Sequence, residues 1–422
     1  EKVKNTLNTF KKWSFKLNSL GLTNFYINTI KADTVKQKIA LNSIKLERLL
    51  INADNVKNFK ESLKNKQNFL LTNGNVIIDN GKTIMEVANL QVDKVKQQLS
   101  LDSFSFRPVV DRDSFMRARK YQAGYTKIKT GKVLVNDLDF EKLTNDSVFD
   151  AKSVSVNSAF LSIYRDKRLP FEYGIEKPML TDLLRNIKLK IEVDSVLIKS
   201  SAIEYEEMND KTLKMGKVKF TELRGHVTGV KNYNYLPADS LRFTVSTLFM
   251  DAAKVKVGYA QSYTDSLSAF HIKVNIRPFD LTALNPMLEP LASARLKSGF
   301  LDTLAMSAIG RKYVALGKMK MYYHDLNFVY LDKGSEVKKT FKTKLISFLG
   351  NLVVHKKNTR GTGDVYAERV SDKGFPSYWV KILLSGALTN TGIRTNKKQI
   401  KKYKKGLQKY DVPPISEVEI DE

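Results

Sequence analysis

The chain has 422 residues and no cysteine, and 71 Lys and Arg residues against 44 Asp and Glu residues give it a formal net charge of +27. The missing cysteine excludes disulfides and thiolate metal sites. The charge predicts an anionic partner, which would be nucleic acid, an acidic polymer or phospholipid headgroups. A basic face kept for solubility explains the same excess equally well. No run of about 18 apolar residues is present, so the sequence predicts no transmembrane helix.

Short strands separated by Asn, Asp, Gly and Ser follow a basic N-terminal segment that we place at residues 1–20. The stretch from Asn73 to Val87 predicts a hairpin that turns at Asp79-Asn80-Gly81, because Asn-Gly supplies the positive φ angles of a tight turn. A second hairpin is predicted from Ile128 to Phe140, with its turn at Thr130-Gly131. Two segments about forty residues apart, starting at Ser153 and Ser195, resemble each other and predict two repeated hairpins, although chance similarity explains them too.

Several segments alternate strictly between apolar and polar residues. Ile187, Leu189, Ile191 and Val193 would face one way while the residues between them face the other. Such alternation is typical of antiparallel sheets with one apolar and one solvated face. Helical signals are sparse apart from Asn285-Pro286, which predicts a short helix, and a segment after Gly374. The sequence therefore predicts a mainly β fold with few short helices and a C-terminal helix.

One region carries a family resemblance. The phrases LTALNPMLEPLASARLKSGFLDTL and GKMKMYYHDLNF, between Leu281 and Phe328, resemble the C-terminal segment of the AsmA-like family, the AsmA/TamB/YhdP superfamily of bacterial envelope proteins. Looser similarity upstream includes FSFRPVVDRDSF, LSIYRDKR and GKVKFTELRGHVTGV. The phrases cover about three quarters of the chain. Each phrase alone is weak, but their order is informative.

This resemblance implies an elongated, curved, mostly antiparallel sheet that forms an apolar groove. It also implies a non-enzymatic protein of the periplasm that conducts phospholipid acyl chains between the inner and outer membranes. Because the chain starts at Glu1 without a signal peptide, we expect a fragment whose inner-membrane anchor lies in a missing segment. The residues expected to line the groove and bind lipid are Ile187, Leu189, Ile191, Val193, Val218, Phe220, Val255, Val257, Tyr259, Met319 and Met321.

The chain shows no motif of a known enzyme class, and we expect no cofactor and no metal. Its four histidines are scattered, and neighbours in a strand point to opposite faces, so His324 and Asp325 are not expected to form a dyad. The segment RGTGD, which starts at Arg360, has no Walker lysine and is read as a turn. Nucleic acid is disfavoured as a partner, since a single-strand binder would interleave aromatic and basic residues on one strand face.

The last ninety residues differ in character from the preceding strands. We divide the chain into a β-groove domain at 21–331, a C-terminal cap at 332–395 and a disordered lysine-rich, then acidic, tail at 396–422. The helix after Gly374 has an apolar stripe bordered by lysines, which is typical of membrane-surface elements. Alternatively, this helix covers the open edge of the sheet. The stripe consists of Phe375, Tyr378, Trp379, Ile382 and Leu383.

Two other functions remain open from the sequence. One is a structural or assembly factor of the outer membrane, with a closed β core filled by side chains. The other is a binder of acidic polymer. Periodicity alone cannot separate a closed core from an open groove, because both need one-sided strands.

Overall fold

The computed structural model describes residues 14–31, 34–52, 70–331, 355–359 and 361–409. These residues form one sheet of nineteen strands in which most neighbours are antiparallel, with a few short helices and a C-terminal helix. The prediction of a mainly β fold is confirmed. Residues 1–13 of the predicted basic N-terminal segment and residues 332–354 of the predicted C-terminal cap lie outside the described residues.

The strands have the following bounds: β1 Ser14–Lys31, β2 Thr34–Asn52, β3 Leu70–Asp79, β4 Thr83–Asp93, β5 Gln98–Leu101, β6 Ser103–Pro108, β7 Gly124–Thr130, β8 Val133–Leu138, β9 Val148–Asn157, β10 Phe160–Asp166, β11 Lys190–Met208, β12 Met215–Lys231, β13 Ser240–Phe249, β14 Ala253–Ser262, β15 Phe270–Ile276, β16 Phe279–Asp280, β17 Ala294–Gly310, β18 Val314–Tyr330 and β19 Thr362–Glu368. The helices are α1 Arg112–Arg117, α2 Phe140–Asn145, α3 Leu180–Arg185, α4 Asn285–Ala292, α5 Phe375–Asn390 and α6 Lys397–Lys409, with a 3-10 turn at Leu281–Leu284.

The sheet runs in chain order from β1 to β4 and then divides into two lines. One line continues through β5, β8 and β9, and the other through β6, β7 and β10. Both lines rejoin at β11, which pairs in parallel with β9 and with β10. From β11 the sheet continues antiparallel through β12, β13, β14, β15, β17 and β18 to β19.

One of the two predicted hairpins is confirmed and the other is wrong. At Gly81 the φ angle is +76° and the backbone reverses between β3 and β4. At Gly131 the chain does not reverse, because β7 and β8 pair with β6 and β5, which both pair with β4. The Gly131 N–H donates to Asn157 O at 2.9 Å, so hydrogen bonding to β9 continues in the short gap between β7 and β8.

The two similar segments are parallel neighbours in the sheet. Ser153 lies opposite Ser195 and Phe160 lies opposite Ala202, so β9 and β10 together match the length of β11. The first segment spans β9 and β10, which run in the same direction, and the second lies within the single strand β11, so the prediction of two hairpins is wrong. A parallel pair needs a long crossover, which is the segment 167–189 with α3. This crossover buries Met179 completely in the main apolar cluster.

Helix α5 lies along the free edge of β19 and satisfies its backbone. The Ser385 hydroxyl accepts from Tyr366 N at 3.2 Å and donates to Tyr366 O at 2.7 Å. One turn on either side, Lys381 Nζ donates to Glu368 O and Thr389 Oγ1 donates to Asp364 O. The spacing matches, because four helical residues rise about 6 Å and two strand residues about 6.8 Å. The helix therefore covers the edge of the sheet.

The segment after α5 is ordered differently from the prediction. Residues 397–409 form α6, so the prediction of a disordered tail is wrong for this part. Ile400, Tyr403 and Leu407 recur at helical spacing and are half-buried, while the lysines between them are exposed. The Tyr403 ring lies 6.2 Å from that of Tyr366 on β19. This apolar stripe, hidden among lysines, fixes the helix on the sheet.

The edge contact predicts a specific loss of stability. Ser385→Ala removes only the hydroxyl and leaves the N–H and C=O of Tyr366 unpaired in a buried place, so we expect a loss of about 2 kcal/mol or more in the free energy of unfolding. Urea unfolding followed by circular dichroism measures it. Ser377→Ala on the same helix is the control, since its hydroxyl makes no hydrogen bond to the described strands. Equal losses in the two variants would refute the role of α5 at the edge.

Candidate functional site

An unbroken row of apolar residues crosses the sheet from β1 to β14. Residues directly opposite each other in neighbouring strands point to the same face. Each member of this first row is the register partner of the next across the ladder. The first row consists of Ile27, Ile39, Ile78, Met85, Phe106, Ile128, Leu161, Ile203, Phe220, Phe249 and Ala253.

A second row crosses the sheet from β3 to β19 through the other line of strands. Its members are also successive register partners: Leu71, Val92, Leu99, Val135, Val154, Val196, Val227, Phe243, Tyr259, Ile272, Ala308, Gly317 and Val365. Phe243 and Phe249 are six residues apart in an unshifted part of β13, so both rows lie on one face. We call it the row face.

Side chains of α5 cover the row face between β13 and β19. The Trp379 ring lies 5.0 Å from that of Tyr259 and 6.1 Å from that of Phe243. A Cβ on Gly386 would lie 2.8 Å from Met319 Cε, so helix and sheet are in close contact. Burial raises the pKa of the nearby Tyr323 to about 12. This part of the row face is a packed core.

Between β3 and β12 the row face is packed differently. Leu161, Ile203 and the other first-row residues there are half-buried. Helix α1 packs on the opposite face: Met116 of α1 contacts Tyr164, which lies three residues after Leu161 in unshifted register. Helix α2 packs instead beside the second row, because Phe140 shares a cluster with Val92 and Val135. In the described part of the chain, α1 therefore leaves the first row uncovered.

Seven of the predicted lining residues lie on the row face. Phe220 and Tyr259 belong to the rows, and Val255 and Val257 alternate with Tyr259 along β14. Register partners link Met319 through Met306 and Val274 to Val257, and link Met321 through Leu304 and Ile276 to Val255. Val218 lies two residues before Phe220 on β12. Five of these seven are in the part covered by α5: Val255, Val257, Tyr259, Met319 and Met321.

The other four predicted lining residues lie elsewhere. Ile187 and Leu189 precede β11 and are 43% and 41% exposed. Val193 is buried in one apolar cluster with Phe140 of α2 and with Val92 and Val135 of the second row, and Ile191 packs against this cluster. These two residues are therefore covered by protein side chains.

The predicted membrane-contact stripe lies against the sheet. Tyr378 is 1% exposed and Ile382 is fully buried. Phe375, Trp379 and Leu383 are half-buried and pack on the same cluster. Of the two alternatives that the sequence left open, the described structure contains the cap. Contact of this stripe with a membrane stays a prediction and would require α5 to leave the sheet.

His324 and Asp325 form the contact that the sequence argument excluded. His324 Nδ1 donates to Asp325 Oδ2 at 2.9 Å, and this hydrogen bond raises the pKa of the imidazole. The reason is backbone geometry: Asp325 has a φ of +53°, which breaks the alternation of β18. The pair is exposed, and no group of three acidic or histidine side chains in the described residues could hold a metal ion.

Comparisons with known proteins leave the family open. No protein-family model matches the chain, and no curated protein is significantly similar to it. None of the helices among the described residues is long and apolar enough to cross a bilayer.

Sequence reasoning missed most members of the first row, including Ile78, Phe106, Leu161 and Ile203. The signal is present in single strands: Phe104 and Phe106 alternate with serines, and Leu161 and Ile163 with Ser162. What the sequence lacks is the register that aligns these short patterns between strands. The rows become visible only when the ladder partners are known.

The two parts of the row face should differ in their response to truncation. Met319→Ala empties a fully buried position and should cost about 2–5 kcal/mol in the free energy of unfolding. Leu161→Ala removes a half-buried side chain and should cost clearly less, since its transfer from water is incomplete. Urea unfolding of both variants measures the difference. Equal costs would mean that the first row is packed as tightly as the core under α5.

Proposed function

We propose that the protein binds phospholipid acyl chains along the first row and conducts them across the strands without a covalent step. The observation that carries this proposal is the continuity of the row from β1 to β14, with half-buried apolar side chains from β2 to β13. A lipid tail would cover them.

The geometry suits movement along the row. Neighbouring strands are about 4.8 Å apart, so each strand offers the next apolar contact before a tail has left the last one. Burial of a methylene group contributes about 0.8 kcal/mol wherever the tail lies on such a floor. Similar sites in succession create no deep trap, so a tail can slide while its headgroup stays in water. The groove itself, formed by curling of the sheet around the tail, is part of the proposal.

The position of helix α5 distinguishes the two rows as possible paths for a lipid tail. The second row passes under Phe375 and Trp379 where it reaches Phe243 and Tyr259. A tail that followed the second row would meet this wall. The first row reaches the same apolar cluster only at its end, through Phe249 of β13 and the fully buried Ala253 of β14. We therefore assign the path of the tail to the first row between β1 and β12.

The sequence resemblance supports the same function from another direction. The phrases between Leu281 and Phe328 resemble AsmA-like proteins, and from this resemblance we propose that the transfer takes place in the periplasm between the inner and outer membranes. Phospholipid and the membrane surfaces are then the partners, and the protein is not an enzyme. An inner-membrane anchor outside this chain is part of the same proposal.

A second candidate is a structural or assembly factor with a closed core. The packing under α5 favours it, because Met319, Tyr378 and Ile382 fill that region with protein side chains alone. In that case the first row would be covered by protein as well. The two candidates differ in whether lipid occupies the first row.

A charge in the first row tests the proposal. Leu161→Asp should abolish lipid binding, because an aspartate would place an unpaired charge where tails must pass. After incubation with phospholipid vesicles and re-isolation, mass spectrometry of extracted lipid gives the lipid bound per protein. Transfer of a fluorescent phospholipid between donor and acceptor vesicles measures conduction. We expect loss of both in this variant.

The matched control is Ser162→Asp, which adds the same charge one residue away on the opposite face, where Ser162 lies opposite Lys127 and Glu204. It should bind and transfer lipid like the parent protein. Circular dichroism checks that both variants fold. If the parent protein takes up no lipid, or if both variants lose it equally, the closed-core candidate is correct.

A further inference from the structure

The face opposite the row face carries a cluster of cations between β12 and β15. Arg224, Ser246, Lys256 and Asn275 are successive register partners across four strands. Lys254 lies two residues before Lys256 and therefore on the same face. These side chains alternate with Val255 and Val257, so the cluster and the apolar core lie back to back.

A fourth cation joins this cluster at the end of β15. The backbone N–H of Arg277 donates to Lys254 O at 2.9 Å, which holds Arg277 beside Lys254. The four cations line a hollow of about 640 Å³. Ser246, Asn275 and Thr303 add polar groups to its wall, and Glu222 is the single carboxylate there. A β-bulge shapes one side, because the register of β12 shifts between Thr221 and Arg224.

The charges of this hollow are not balanced by the described part of the protein. Arg224, Lys254, Lys256 and Arg277 are exposed, and none of them forms an ion pair with the described residues. Nearby lysines on β12 behave differently. Lys217 Nζ lies 2.7 Å from Glu204 Oε1, and Lys219 Nζ lies 3.4 Å from Asp251 Oδ2.

We propose that this hollow is a binding site for a compact ligand with two or more phosphate groups. Arginine offers a planar fork that matches a phosphate, and lysine offers a point charge that can follow a second one. Side chains that project from neighbouring strands are fixed by the ladder, so a bound ligand would need to order only their flexible ends. Serine, threonine and asparagine can bond the polar part that joins the phosphates.

The site is separate from the proposed lipid path. A lipid whose tail lies on the first row cannot reach the opposite face of the same strands. The ligand is therefore a second molecule, either free in solution or presented as a phosphorylated headgroup at a membrane surface. Both sources share the phosphate chemistry, and the experiment separates them.

The test uses the whole chain and inositol hexakisphosphate as a compact polyphosphate probe, with binding measured by titration calorimetry at low ionic strength. The test variant carries Lys254→Gln and Lys256→Gln. The control variant carries Lys217→Gln and Lys219→Gln, which removes the same charge from paired lysines on the same face. We expect one ligand per chain and a loss of affinity of about tenfold or more for the test variant, with little change for the control.

A second arm uses flotation with vesicles of phosphatidylcholine, with and without an anionic phospholipid. Binding to the anionic vesicles that depends on Lys254 and Lys256, without binding of the free probe, assigns the site to a headgroup. Binding of the free probe alone assigns it to a soluble ligand. Equal losses in the test and control variants, or no binding in either arm, overturn the proposal. Leu161→Asp should leave probe binding unchanged, so this site and the lipid path can fail independently.

Discussion

The alignment of apolar residues across the ladder is the constraint on which the other features of the molecule depend. Side chains alternate between the two faces of a strand, so a slip of one residue in any strand would move its apolar set to the other side. Both rows keep their alignment at Asp102, between β5 and β6, and at Gly131, between β7 and β8, where the chain passes from one line of strands to the other. The same alignment that builds the row face gathers the lysines of β14 on the opposite face.

Helix α5 has two structural roles that reinforce each other. Its apolar side packs on the row face through Tyr378 and Ile382, and its polar side chains bond the outer backbone of β19. Neither role alone would position the helix, because apolar packing permits sliding and a few hydrogen bonds are weak in water. Together they fix one register between helix and strand. The edge of the sheet at β19 is therefore covered by a helix of the same chain.

The fold class, the first hairpin and the helices near 285 and 375 could be predicted from the sequence, because each depends on local signals such as Asn-Gly or Pro at a helix start. Alternation in one strand could not show which apolar residues are covered by protein, because Val193 is buried with Phe140 of α2 while Leu161 is only half-buried. Gly131 looked like a turn because glycine permits one, but its N–H continues the ladder. The lysines of α6 looked disordered because their number hid the stripe of Ile400 and Tyr403. These features depend on contacts between segments that are distant in the sequence, and no single segment reveals those contacts.

The hydrogen bonds at Tyr366 also determine which other chains the sheet can accept. An exposed edge strand is a template for β-augmentation, in which a peptide or a second copy adds its own strand. Ser385, Thr389 and Lys381 occupy the groups that such a strand would need on β19. As long as α5 stays in place, it prevents another strand from adding to β19. Partners that meet the protein here must recognise side chains rather than backbone.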